Sequence, residues 1–399
     1  MARHPKPAQP VIETVVVQPT PFCNIECTYC YLPNRRDRSV MSAETLRAAF
    51  ERIFSSGWTA GGLTVIWHAG EPLVPPVSYY REAFDLIETL RPPELLLHHS
   101  LQTNGMLLTE EWCEFLKERD VGIGVSIDGP RHLHDAHRLT RGGRGTFDRT
   151  LAGIRLLRRH GVPFHVITVL SKHSLDDPQS LFDFYVAESI DQVCFNVEES
   201  EGNHRSELFG LSDLRIRFAA FLDRFWRLAR TSGRFRLIRE IDSMLPRILR
   251  PDEVPMGNEQ VLPFGMVNIA CNGDVSSFSP ELLGLKSGRH ADFIVGNVHH
   301  QSLAEMLASP AMRSMAAEIA EGVEACRAAC EYFAVCGGGA PVNKLTENGS
   351  FATTRTRFCE LTQMVPTDLI LDALERIELE ENPSLVPGPK LEPLVLSSI

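Results

Sequence analysis

Short β-rich runs alternate with amphipathic stretches from residue 11 to about residue 197, an order that few folds satisfy. The runs are 12–18, 63–68, 95–103, 122–128, 164–170 and 192–197. Between the first five lie 42–55, 79–90, 110–119 and 147–160, with apolar residues at helical spacing. Parallel strands need long crossovers, usually helical, so this alternation predicts an α/β fold of βαβ units. Six such strands predict a partial (β/α)6, TIM-like barrel, in which functional groups ride on loops at the C-terminal strand ends. Ser42 followed by Thr45, and Thr146 before Phe147, are candidate helix starts, with Thr146 the better N-cap.

Directly after the first run comes Cys23-Asn-Ile-Glu-Cys27-Thr-Tyr-Cys30. Thiolates at this spacing can hold three corners of a cubane [4Fe–4S] cluster, whereas an electron-carrying cluster takes four. Three ligands leave one iron open, the logic by which catalytic zinc sites keep a free position. A zinc site or three unrelated thiols is the alternative, against which Tyr29 and the lack of a nearby fourth His or Cys both weigh.

With 399 residues the chain has room for two or three domains. Its formal net charge of −11 argues against a nucleic-acid partner, which asks for a basic footprint. No apolar run approaches the roughly 18 residues of a membrane span, and Met-Ala-Arg-His-Pro-Lys-Pro at the start has no apolar signal core. Ten cysteines without a secretion signal point to a reducing compartment and metal ligation, so a cytoplasmic location is expected.

The cysteine triad, with an aromatic residue before its last Cys, resembles the signature of radical S-adenosylmethionine (radical SAM) enzymes. The resemblance implies that the open iron chelates the amino and carboxylate groups of S-adenosylmethionine, whose reductive cleavage yields a 5′-deoxyadenosyl radical. Further pieces match in order: His68-Ala69-Gly70-Glu71-Pro72, Gln102-Thr103-Asn104-Gly105, Ser126-Ile127-Asp128-Gly129-Pro130 and Arg138. The first resembles the Gly-Gly-Glu-Pro motif that meets the methionyl amino group, with Ala69 in place of a Gly and workable if its φ stays negative. By the same resemblance Ser126 hydrogen-bonds the cofactor's ribose or carboxylate, Arg138 pairs with the carboxylate, and Tyr29 lies near the adenine. His98, His99, His132 and His134 are expected to orient loops or face solvent.

A second set, Cys326-x3-Cys330-x5-Cys336-Gly-Gly-Gly and then Cys359, lies in the back half. Cys326 and Cys330 share a helical face if 318–330 is helical. Four thiolates fill a closed four-iron cluster, with all-cysteine zinc the alternative. The arrangement resembles the SPASM extension of radical SAM enzymes, but Phe278 and Ala340 stand where ligands of a second auxiliary cluster would be. One auxiliary [4Fe–4S] cluster is therefore expected, with Cys271 left over and Cys113 and Cys194 in the core. The expected division is a radical SAM core over 11–235, a linker over 236–256, a SPASM-type domain over 257–375, and a Pro- and Glu-rich tail over 376–399.

The segments 278–284 and 30–34 resemble maturases that install cyclophane crosslinks in glycine-rich-repeat precursor peptides. That resemblance implies hydrogen abstraction from a β-carbon, attack on an aromatic ring, and loss of a proton and an electron. Glu281 is the candidate base, and a precursor peptide and a reductant such as flavodoxin or ferredoxin are the expected partners. Thioether formation, or oxidation of Ser or Cys to formylglycine, is the alternative chemistry. In sulfatase maturases an Asp base stands where this chain has Ser279. A non-catalytic electron carrier is a third possibility, for which an open iron has no use. Only about ten residues precede the first run, so leader binding is expected from the C-terminal half, from a partner protein, or not at all.

Overall fold

The computed structural model describes residues 9–200, 204–254, 257–287, 290 and 292–380. Six parallel strands lie side by side in sequence order: β1 (Ile12–Val17), β2 (Thr59–Trp67), β3 (Leu96–Thr103), β4 (Gly122–Ser126), β5 (His165–Leu170) and β6 (Gln192–Val197). The short β7 (Leu237–Ile238) extends the sheet beyond β6. At the other edge β8 (Met266–Ile269) pairs in parallel with β1, and β9 (Asp274–Ser277) and β10 (Gly296–Asn297) follow antiparallel. The sheet therefore has the order β10-β9-β8-β1-β2-β3-β4-β5-β6-β7. Every expected strand is present, although β2 starts at Thr59 rather than residue 63.

Strand alternation sorts the side chains into two faces. Val15, Val17, Val65, Trp67, Leu101, Val125 and Phe195 are buried beneath the helices in the main core. Their neighbours in the chain point to the concave face, where Val16, Ile66 and Met266 form a small cluster of their own. Helix Ala43–Ser55 shows how the outer layer is held: Leu46, Ala49, Phe50 and Ile53 are buried at helical spacing, and Ser42 Oγ accepts from Thr45 N at 3.0 Å. Truncating Phe50 to Ala there costs about 3–5 kcal/mol.

The N-cap expectation reverses at Phe147–Arg159, where Thr146 makes no side-chain cap. Its hydroxyl instead donates to Arg138 O at 2.8 Å and meets His134 Nε2 at 2.9 Å, tying the site loop to the helix start.

The stretch 236–256, expected as a linker, is built into the fold where it is described. It carries β7 and the short helices Arg239–Asp242 and Leu245–Leu249. Glu240 accepts the Phe195 N–H at 2.9 Å, a long-range bond that composition does not signal. The aromatic stripe of helix Leu214–Ser232 is core as expected, with Phe225 against Phe195 at 4.9 Å between centroids. Helix Val365–Glu380 packs beside it, and the Arg215–Asp368 ion pair at 2.9 Å joins the two. Most of the expected tail lies outside the described residues.

Candidate active site

The C-terminal ends of β1 to β4 converge on one loop system. The cysteine loop leaves β1, and Cys23, Tyr29 and Cys30 pack around Cys27, Ile25 and Met106. The Ala69-Gly70 turn after β2 presses against it: Glu71 N donates to Phe22 O at 2.8 Å. A Cβ on Gly70 would collide with the carbonyl oxygen of Thr20 and stand 2.8 Å from that of Phe22, so only glycine fits.

Ala69 departs from expectation. Its φ is +67° and that of Gly70 is +75°, so two successive residues are left-handed. A left-handed L-residue costs roughly 1–2 kcal/mol, a strain that the packed turn sustains.

Glu71 is buried, and both carboxylate oxygens are spoken for. Oε1 accepts from Thr103 Oγ1 at 2.6 Å and Leu73 N at 3.0 Å, and Oε2 from Asn104 N at 2.9 Å. Desolvation pushes its pKa up while these three donors pull it down. The residue locks the end of β2 to the end of β3. Asn104, so fixed, donates to Asn24 Oδ1 at 2.7 Å inside the cysteine loop.

Asp128, just past β4, is the hub that the motif reading missed. Its Oδ2 accepts from Tyr29 OH at 2.5 Å and Arg138 Nε at 3.0 Å; its Oδ1 accepts from Arg138 Nη2 at 3.0 Å and Val169 N at 2.9 Å. The Arg138–Asp128 pair is nearly sealed, with side chains 7% and 3% exposed, and the guanidinium carbon sits 5.5 Å from the Tyr29 ring centroid. Arg138 was expected to present its fork to a cofactor carboxylate, but Asp128 takes the fork. Asp128 lies ten residues before Arg138, across the short helix Arg131–His137, and the two charges meet with both side chains buried.

Burial and Asp128 raise the Tyr29 phenol well above its ordinary value. His134, beneath the loop, accepts from Asp128 N at 3.3 Å and is held neutral by burial, its pKa lowered to about 4. Ser126 Oγ, at the end of β4, accepts from Gln102 Nε2 at 3.1 Å.

Burial perturbs two of the three thiols strongly. Burial, then Glu71 and the two companion cysteines, raise Cys23 to about 12. Burial likewise raises Cys27 to about 12, with Arg138 opposing it. A bound cation offsets the charge of such sulfurs as thiolates, and the three cysteines pack together in one small group, a donor set that suits a cluster.

Across the sheet, β9 leads into Phe278, at φ +72° and fully buried, and Ser279, also fully buried. Asn268, on the concave face of β8, donates to Ser279 O at 2.9 Å. The Ser279 hydroxyl donates to Glu281, whose carboxyl is pushed up by desolvation. The following turn comes back to the cysteine loop: a Cβ on Gly284 would stand 2.8 Å from the Pro33 side chain.

The second cysteine set also assembles. Helix Pro310–Ala329 ends at Cys330, which is extended (φ −114°, ψ 120°). The helix therefore stops one residue short of the expected end, and Cys330 caps it, its N–H donating to Cys326 O at 2.9 Å. Gly337, Gly338 and Gly339 all have positive φ, and the N–H groups of the last two bond Cys336. Cys359 Sγ accepts from Thr356 N at 3.2 Å. Burial raises the Cys336 and Cys359 thiols, with a further push on Cys336 from Cys330 and Cys326 and on Cys359 from Cys330. Ala340 is buried, and Cys113 and Cys194 are core. Cys271 is half-buried beside Tyr79, whose buried hydroxyl has no partner. Among the described residues no three of His, Cys, Asp and Glu converge on one metal-ion position. None of the described helices is long and apolar enough to cross a membrane.

Residues 17–185 match the model of the radical SAM superfamily. The Synechocystis sp. protein sll1766 is 37% identical over 365 residues, 90% of this chain and 92% of that protein. A serine-type anaerobic sulfatase-maturating enzyme of Bacteroides thetaiotaomicron is 26% identical over 83% of each chain. Among solved structures, native anSMEcpe with bound AdoMet and the Cp18Cys peptide superposes with a TM-score of 0.73 at 20% identity, covering 93% of this chain and all of that one.

Proposed function

The chain belongs to the radical SAM superfamily, and we propose that this enzyme oxidatively modifies a side chain of a ribosomally made peptide, forming a carbon–carbon crosslink between a β-carbon and an aromatic ring. Members of this superfamily use a [4Fe–4S] cluster with S-adenosylmethionine. In this reading Cys23, Cys27 and Cys30 hold that cluster, and Cys326, Cys330, Cys336 and Cys359 hold one closed auxiliary cluster. When bound, the two supply a 5′-deoxyadenosyl radical and a place for one electron. The observation that carries the proposal is the pairing of a three-thiol set with a separate four-thiol set, since a crosslink must shed an electron as well as a hydrogen atom.

The chain's own residues have distinct tasks. Asp128 fixes Tyr29 and Arg138 beside Cys27, and Glu71 and Gly70 hold the loop that faces the cofactor's methionyl end. Ser126 stands at the rim of the concave face for the ribose or carboxylate. Glu281 takes the ring proton; desolvation raises its basicity and the Ser279 hydroxyl orients it. Support for the crosslink comes from the contact of Pro33 with Gly284, because segments 30–34 and 278–284 are those that resemble the cyclophane maturases. A flavodoxin or ferredoxin is the proposed electron donor.

Formylglycine formation is the second reading, supported by the sulfatase-maturating relative; Ser279 in place of the Asp base counts against it. Both reactions on a seryl or aromatic peptide remove two hydrogens, so mass alone does not separate them. The reconstituted enzyme is incubated with dithionite, S-adenosylmethionine and two synthetic peptides, one with aromatic–glycine repeats and one with a sulfatase-type serine. A product two hydrogens lighter, protease-resistant within the ring and unreactive to hydrazide supports the crosslink. A hydrazide-reactive aldehyde on the serine peptide replaces it with the second reading. Neither product, together with no 5′-deoxyadenosine, rejects both.

A further inference from the structure

Lys344 is one of the most enclosed charged side chains in the structure, at 3% exposure. It lies on helix Pro341–Asn348, just after the glycine run that follows Cys336. Its Nζ donates to Gly322 O at 3.0 Å and to Cys326 Sγ at 3.3 Å. Gly322 and Cys326 are one turn apart on helix Pro310–Ala329, so the ammonium lies against a single helix face. Gly322 makes the approach possible: a Cβ there would stand 3.2 Å from Nζ and collide with Phe351 O.

An ammonium is a compact, strongly hydrated charge that is costly to bury unless an anion meets it. Among the described residues no carboxylate pairs with Lys344. The nearby acids are committed elsewhere, Glu318 to His290 at 2.8 Å and Phe351 N at 3.1 Å, and Glu347 to Phe358 N at 3.1 Å. A neutral thiol does not supply the missing charge, whereas a metal-bound thiolate does.

We propose that Lys344 is the counter-charge of the second cysteine cluster and sets its reduction potential through the Cys326 sulfur. The inference rests on the reading that Cys326, Cys330, Cys336 and Cys359 hold a four-iron cluster. Such a cluster with four thiolates is already anionic, and taking up one electron ([4Fe–4S]2+ to [4Fe–4S]1+) adds one negative charge. A fixed positive charge hydrogen-bonded to a ligand sulfur favours the reduced state, as hydrogen bonds and net charge near cluster sulfurs generally do. Lys344 touches no substrate in this account; it is a positioning and tuning residue.

The test uses the full chain with Cys23, Cys27 and Cys30 changed to Ala, so that only the second cluster responds. Midpoint potentials are read by dithionite titration followed by electron paramagnetic resonance, with iron content measured alongside. Lys344→Gln and Lys344→Met are expected to shift the midpoint negative by at least a tenfold change in the reduction equilibrium, about 59 mV for one electron. Lys344→Arg, which keeps the charge, is expected to shift it by less. Loss of iron in K344Q and K344M with full iron in K344R also supports the proposal, since charge is then needed to hold the cluster at all. About four irons per chain in the parent with an unmoved midpoint in K344Q and K344M overturns the role of Lys344 alone. Equal shifts in K344R and K344Q do the same, because charge is then not the cause. A parent without iron overturns the cluster reading together with it.

Discussion

Removing the Asp128 carboxylate is the sharpest test of how the site is held. In Asp128→Leu the Arg138 guanidinium keeps its burial and loses the two oxygens that match its fork at 3.0 Å. Breaking one side of a buried pair costs about 3–5 kcal/mol. The Tyr29 hydroxyl and the Val169 N–H also lose their acceptor, each adding about 1–3 kcal/mol if no water replaces it. These terms share one carboxylate and do not add in full, so a total of about 4–6 kcal/mol is expected.

Arg138→Met alone strands the carboxylate less severely, because Tyr29 and Val169 N still donate to it. The double variant D128L/R138M removes both charges and is expected to be more stable than D128L, with a coupling of about 1–3 kcal/mol. Urea midpoints and slopes followed by circular dichroism, with iron loading matched across the four proteins, measure the cycle. Metal-bearing chains can depart from two-state unfolding, so equal slopes are a condition for converting midpoints to free energies. Single-variant costs that add without coupling, or a D128L cost below about 1 kcal/mol, refute the hub.

Other expectations follow from the same geometry. Cys27→Ala is expected to leave about four of about eight irons per chain and to abolish 5′-deoxyadenosine formation, read by iron assay and chromatography. Gly70→Ala forces a Cβ into the Thr20 and Phe22 carbonyls and is expected to lose the first cluster while keeping the second, seen as selective loss of one paramagnetic signal. Glu281→Gln is expected to lower the product-forming rate far more than S-adenosylmethionine cleavage. In the unsubstituted enzyme that rate rises with pH through a limb above the usual carboxylate range, because the raised pKa must be passed before the base is free; an unchanged limb in E281Q removes Glu281 from that role. His68, His134 and His165 are each lowered by burial to about 4 and His99 to about 3. The unfolded chain then binds more protons than the folded one below about pH 6.5, so stability is lost as pH falls from there toward 4. His99→Gln is expected to reduce that slope by up to one proton in denaturation midpoints measured across the range.

The sequence by itself determined the strand–helix order, because alternating apolar periods of two and of 3.6 residues leave a parallel α/β sheet as the natural way to bury both. It also marked the two cysteine sets by their spacing and singled out Glu71, Ser126 and Arg138 by motif. Tertiary structure alone decided what those residues do. Arg138 points at Asp128 and Glu71 clamps two strand ends because the nearest buried partner wins a charge, and which partner is nearest depends on how β1 to β4 are brought together. Ala69 adopts a left-handed turn beside Gly70, which packs against the Thr20 and Phe22 carbonyls. Cys330 caps the helix that periodicity extended through it, and 236–256 joins the sheet through β7 beside β6 and through the buried Glu240 carboxylate on Phe195 N. Lys344 carried no sequence signal; its meaning comes from a glycine one helical turn before Cys326 and a sulfur 3.3 Å away. Local pattern fixes which groups a chain possesses, whereas charge pairing and close approach are long-range and are settled only when the elements pack.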